Sequence, residues 1–254
     1  MVILQIDRKG RISMLLSLIR SQNLDIISVI IYIISVLIVI FLVNPLHECA
    51  HGFVAYKLGD NTAKNQGRLT LNPIAHIDYM GALLMLLVGF GWAKPVPVNA
   101  RNFKNPKTGM AITALAGPVS NFLAAVVFGL CYNGIITILV ASDSAIVIGS
   151  SVLISNNMAF IEYVLMFFQF LIFINISLAV FNLIPIPPLD GSKILMAFLS
   201  DRTIYKLYQY QMYFSLALFI LIMMGGMSKI LFPLQNWFYG GINWLTSLPF
   251  SWAW

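Results

Sequence analysis

Residues 26–43 read IISVIIYIISVLIVIFLV, an apolar run without a charge. A helix that crosses a bilayer needs about 20 mostly apolar residues, because the hydrocarbon core is roughly 30 Å thick and each residue rises 1.5 Å. Residues 26–43 therefore predict a first crossing helix, and the runs 110–131, 158–180 and 212–224 predict three more. The stretch 135–153 is also apolar but carries Asp143 and several Ser and Gly, so it reads as a weak span or an interfacial segment. Residues 82–90 are too few to cross alone and read as a re-entrant piece. The expected fold is all-α: a polytopic transmembrane bundle of four to six helices, with a re-entrant or β-hairpin-like segment between the first two spans. Three regions follow. Residues 1–25, with Arg8, Lys9 and Arg11 ahead of a short apolar run, lack a clean cleavage site and are expected on the membrane surface. Residues 26–231 form the core. Residues 232–254 form an aromatic interfacial tail holding Trp237, Trp244, Trp252 and Trp254.

Composition agrees with the pattern. Hydrophobic residues make up 59% of the 254 positions and charged residues 9%, against roughly 25% charged in a soluble domain. A soluble enzyme, a nucleic-acid binder and a disordered chain all fit poorly. In a membrane chain the net charge of +6 reflects basic loops facing an anionic surface rather than nucleic acid. Cys49 and Cys131 are too few for a disulfide framework.

Ionisable groups beside apolar spans are costly and so point to chemistry. Directly after the first span comes NPLHECAHG, with His47, Glu48 and His51 in an HExxH pattern. Positions i and i+4 share one helix face, so two imidazoles there can ligate one metal ion. Glu48, next to the first, can act as general base on a metal-activated water. With three His in the chain, a chance HExxH arises about once in a few thousand sequences of this composition. Zinc suits two nitrogens and a carboxylate with a fourth position open. The other polar outlier is FNLIPIPPLDGSKIL, residues 181–195, whose prolines forbid a continuous helix. Irregular backbone at membrane depth is tolerated where it is buried in protein or lines a wet cavity. Spacing alone leaves open whether Asp190 is a third ligand or the start of an Asp-Gly turn.

HECAH at 47–51 followed by NLIPIPPLDG at 182–191 resembles the site-2 protease family of intramembrane zinc metalloproteases. The likeness extends over about residues 26–230 and includes GRLTLNPIAHIDYMG (67–81), GWAKPVPVNARNFKNP (91–106) and ALAGPVSNFLAA (114–125). It matches the compact subgroup without an attached regulatory domain. The resemblance implies one Zn2+ per chain held by His47, His51 and Asp190, with Glu48 activating water. It also makes Asn182 an active-site residue, whose amide could steady a developing oxyanion; the bland alternative is a helix C-terminal cap. Pro45 departs from the subgroup and predicts a kink or a fresh helical segment ahead of His47.

The implied activity is zinc-dependent hydrolysis of peptide bonds in or near transmembrane segments, with membrane proteins and the lipid bilayer as partners and no nucleic acid. A non-proteolytic zinc-binding scaffold or chaperone of the same fold is the alternative, disfavoured by the retained Glu48. GRLTLN and KPVPVN alternate like strands, so an extended substrate could add to such an edge. His76 and Asp78 form a rival metal pair or fix their loop, Glu162 is interfacial, and Asn121 either supports the site or bonds across helices. Residues 57–107 carry seven Lys and Arg, on the side of Lys193, Arg202 and Lys206, whereas 132–157 carry none. The positive-inside rule then puts the zinc side toward the cytoplasm of a prokaryotic membrane.

Overall fold

The computed structural model describes residues 26–88, 91–148, 151–154, 159–224 and 226–253; the basic segment 1–25 lies outside them. The first apolar run forms α1 (Ile26–Ile38), which passes through a π-helical turn (Val39–Val43) directly into α2 (Asn44–Lys57). Pro45 accounts for the interruption. It has no N–H to give and its ring crowds the carbonyl four residues back, so the regular ladder cannot run through it. The wider turn just upstream absorbs the mismatch. Gly59, at φ 106°, then turns the chain out of the helix.

After α3 (Thr62–Asn65) and a 3-10 turn (Pro73–Ala75), α4 (Tyr79–Val88) follows with its start capped by Asp78, whose Oδ1 accepts the Gly81 N–H at 2.9 Å. Its ten residues reach about 15 Å, too short to cross. The long helix α5 (Pro106–Ala141) absorbs the second run and the start of the stretch expected as a weak span. Further along that stretch β1 (Ala145–Ile148) pairs antiparallel with β2 (Ser151–Ile154), in register Ala145↔Ile154. The paired strands thus follow the second span, and among the described residues none lie between the first two. Then come α6 (Ala159–Asn182), α7 (Asp190–Met196), α8 (Asp201–Gln209), α9 (Gln211–Met223) and α10 (Gly226–Ser247).

Among the described residues three helical segments are long and apolar enough to cross a membrane: Ile26–Lys57, Pro106–Ala141 and Phe160–Asn182. The fourth predicted span is α9, whose thirteen residues reach only about 20 Å. Tyr32, Val36, Val39 and Ile40 pack with Phe170 and Leu171 of α6 and Met85 of α4. Ile172, Ile176 and Val180 pack on Ala125 of α5 and Ile242 of α10. α10 presents Ile242 to the core while Trp237 and Trp244 stay exposed.

Residues 94–99, KPVPVN, are extended but join no strand, and neither does GRLTLN. The alternation of 94–99 comes from Pro-X-Pro-X, and its backbone donors are used singly. The Lys94 N–H goes to the His76 carbonyl, the Val96 N–H to Glu48 and the Asn99 N–H to Asp60. Asp60 is fully buried and accepts from the Thr62 N–H and hydroxyl, the Asn99 N–H and the Asn102 amide. Burial pushes its carboxyl up, but these hydrogen bonds outweigh it and hold the group below the ordinary carboxylate range. Such stabilisation is complete above the unfolded-state pKa, about 3.9, and drains away as pH falls through the lower folded value. The gap in thermal midpoint between wild type and Asp60→Asn in detergent should hold steady from about pH 7 to 5 and close below about pH 4. A constant gap down to about pH 2 would mean that Asp60 titrates normally.

Candidate metal centre

α2 carries both histidines on one face, four residues apart. The lone basic or acidic residue in its last turn is Lys57, so the pair sits ahead of the polar end of the first span. α5 runs past in the opposite sense, and the loop after α6 returns Asp190 as the first residue of α7. The site thus lies where the first and third spans end and the second begins. Gly191 makes the loop possible: a Cβ there would overlap the Leu183 carbonyl. Of the two readings left open for Asp190, the structure has it begin a short helix with its side chain buried in the bundle.

His47 Nε2 and His51 Nε2 are 3.1 Å apart, and Asp190 Oδ2 lies 3.3 Å from the first and 3.0 Å from the second. All three residues are buried. The outer ring nitrogens decide the tautomers. His51 Nδ1 lies 2.7 Å from the Thr113 carbonyl, which can only accept, and His47 Nδ1 lies 3.1 Å from Asn121 Oδ1. Each Nδ1 therefore carries a hydrogen, so the neutral form of each ring offers its Nε2 lone pair to a metal shared with the carboxylate. Three acceptor atoms facing one another repel unless a cation lies between them. Tetrahedral zinc with bonds near 2.0–2.1 Å places its ligand atoms about 3.3 Å apart, close to the spacing here. The donor set fits zinc, and it is the one such His/Cys/Asp/Glu cluster among the described residues.

The chain belongs to peptidase family M50, the site-2 proteases: that family's model matches residues 32–225. It is 39% identical over 205 residues to YwhC of Bacillus subtilis (strain 168), provisionally named a zinc metalloprotease, covering 81% of this chain and 86% of that one. It is 26% identical over 199 residues to Rip2 of Mycolicibacterium smegmatis, named in the same way, covering 76% of this chain and 68% of the relative. Rip2 of Mycobacterium tuberculosis (strain H37Rv) is likewise 26% identical over 214 residues. No solved structure matches the chain. The protein is an integral membrane protein of a zinc metalloprotease family, and Zn2+ is its metal.

The other predicted residues sort themselves by contact. Glu48 is half-buried, and its Oε2 accepts the Val96 N–H at 2.8 Å. Asn182, the last residue of α6, donates its amide to the Leu178 carbonyl of its own helix at 2.9 Å, as a cap would. His76 is buried with Nε2 at 2.8 Å from the Thr70 carbonyl, and Asp78 caps α4, so both fix their loop. Glu162 is exposed in the first turn of α6. Cys49 and Cys131 are free.

Asn121 supports the site as an acceptor rather than a donor, and its buried amide nitrogen has no partner. Because its oxygen keeps the His47 hydrogen on Nδ1, Asn121→Ala should weaken zinc roughly ten- to a hundredfold, read by chelator competition, while Asn121→Asp should retain it. Equal affinity in Asn121→Ala would deny that role. Four participants escape reasoning on residue types: the Thr113 carbonyl, the Val96 amide, Gly117 and Lys193. Gly117 lies against both imidazoles, where a Cβ would overlap His47 Nε2 and His51 Nε2. Lys193 Nζ lies 3.0 Å from Asp190 Oδ1 and so occupies the carboxylate oxygen that faces away from the histidines. The signals available were the Gly-Pro pair four residues before Asn121 and the lysine three residues after Asp190.

Proposed function

We propose that this protein hydrolyses peptide bonds in or near transmembrane segments of other membrane proteins, inside the bilayer. One observation carries the reading: His47, His51 and Asp190 converge with Glu48 adjoining, beside the ends of helices long enough to cross a membrane. Zinc bound there supplies a Lewis acid that polarises the scissile carbonyl and the attacking water. The protein's own groups do the rest. His47 and His51 offer neutral Nε2 atoms because Asn121 and Thr113 hold their hydrogens on the other nitrogen. Asp190 contributes one negative charge through Oδ2, with Lys193 balancing Oδ1. Glu48 takes the proton of the water and delivers it to the leaving amine. Asn182, at the mouth of the 183–189 loop, turns its amide from the Leu178 carbonyl to the oxyanion as substrate enters. The basic residues of 57–107 put this side toward the cytoplasm.

Wild type and Glu48→Gln are compared in liposomes for zinc content and for cleavage of a panel of single-span proteins. Zinc in both with cleavage by wild type alone is the expected result. Zinc in both and cleavage in neither would turn the reading toward a zinc-binding scaffold.

A further inference from the structure

The extended segment 94–99 is held more firmly than a surface loop requires. Arg68 Nη2 donates to the carbonyls of Lys94 at 2.9 Å and Pro95 at 3.2 Å, and the Lys94 N–H is held by the His76 carbonyl at 2.8 Å. At the other end Asp60 holds the Asn99 N–H at 2.7 Å. Between these anchors the sequence is Pro95-Val96-Pro97. Proline has no N–H and fixes φ near −65°, so Val96 carries the one donor of the triplet on a stiff stretch of backbone. That donor meets Glu48 Oε2 at 2.8 Å. The Val96 side chain is buried, and its Cγ1 lies where a Cβ on Gly52 would press against it. The strap therefore contacts α2 twice, one turn apart, on either side of His51.

We propose that the Val96 amide is a positioning group for the general base: the strap, clamped by Arg68, fixes one carboxylate oxygen of Glu48 so that the other is aimed at the water. This rests on the protease reading. A freely rotating glutamate loses side-chain entropy each time it reaches the water, and a charge-assisted hydrogen bond to a rigid donor removes that cost in advance. Glu48 and Val96 are 48 residues apart, so the base is set by a segment outside its own helix.

Val96→Pro removes the hydrogen and keeps the extended backbone, whereas Val96→Ala removes the packing and keeps the hydrogen. With zinc content and thermal midpoint measured for each, Val96→Pro should lower kcat roughly ten- to a hundredfold at unchanged KM and zinc content. Val96→Ala should stay within about twofold of wild type. Equal kcat in the two variants overturns the proposal. A Val96→Pro enzyme faster than wild type also overturns it, showing that the strap holds Glu48 out of action. Should Val96→Pro lose its zinc, Arg68→Met decides instead: a comparable loss in kcat with zinc retained supports the clamp, and an unchanged kcat refutes it. If wild type itself cleaves nothing while holding zinc, the protease reading falls first, and this inference with it.

Discussion

Glu48→Gln is expected to slow cleavage by about two to four orders of magnitude while leaving one zinc per chain. The amide keeps the length of the side chain, and its oxygen can still accept the Val96 N–H now bound to Oε2, so the strap and the helix should not move. What disappears is a group able to take a proton, and positioned acid–base groups contribute about 10²–10⁴ in rate. The ligands are untouched because His47 and His51 take their support from α5 and not from Glu48. Zinc content and initial rates on one substrate, measured on the same preparation, give the answer. A variant that still cleaves at more than about a tenth of the wild-type rate would remove Glu48 from the mechanism.

Gly117→Ala should abolish zinc binding without unfolding the protein. The added methyl would overlap His47 Nε2 and Cε1 and His51 Nε2. The rings have no easy retreat, because their outer nitrogens are tied to Asn121 and Thr113 on the same helix. Relief requires breaking those bonds or separating α2 from α5, and either scatters the ligands. Crowding of this kind costs about 1–3 kcal/mol in ordinary cores; falling on two ligand atoms at once, it should weaken zinc by at least about a hundredfold. Stability should fall by less than the crowding alone would cost, since Ala is favoured over Gly inside a helix by about 1 kcal/mol. Equilibrium dialysis against a buffered zinc series, with a thermal midpoint in parallel, separates the two effects. Wild-type zinc affinity in Gly117→Ala would mean that α5 does not press Gly117 against the two imidazoles.

The ligands were legible because their chemistry resides in side chains. His47, Glu48, His51 and Asp190 are rare residue types in a chain with 9% charge, and any cluster of them stands out. Thr113 and Val96 contribute backbone groups that every residue or nearly every residue has, so residue type carries no trace of them. Gly117 matters for an atom it lacks. The strand-like look of 94–99 misled for a related reason: prolines at alternate positions imitate a strand's period while removing the donors a ladder needs. The strands at 145–148 and 151–154 were hidden by their apolar side chains, which serve a membrane helix or a buried strand equally well.

The π-helical turn at Val39–Val43 has a geometric meaning beyond accommodating Pro45. Each residue of an α-helix advances the side chains by about 100° around the axis, and a π turn inserts one residue into that count. The helix is thereby out of phase with itself across the turn. Upstream, exposed Ile27, Ile30 and Ile34 mark an outward azimuth; downstream, His47 and His51 mark an inward one. The two halves of a single membrane helix can thus meet different demands, the first answering to lipid and the second to the metal, with their relative rotation stored in five residues of backbone.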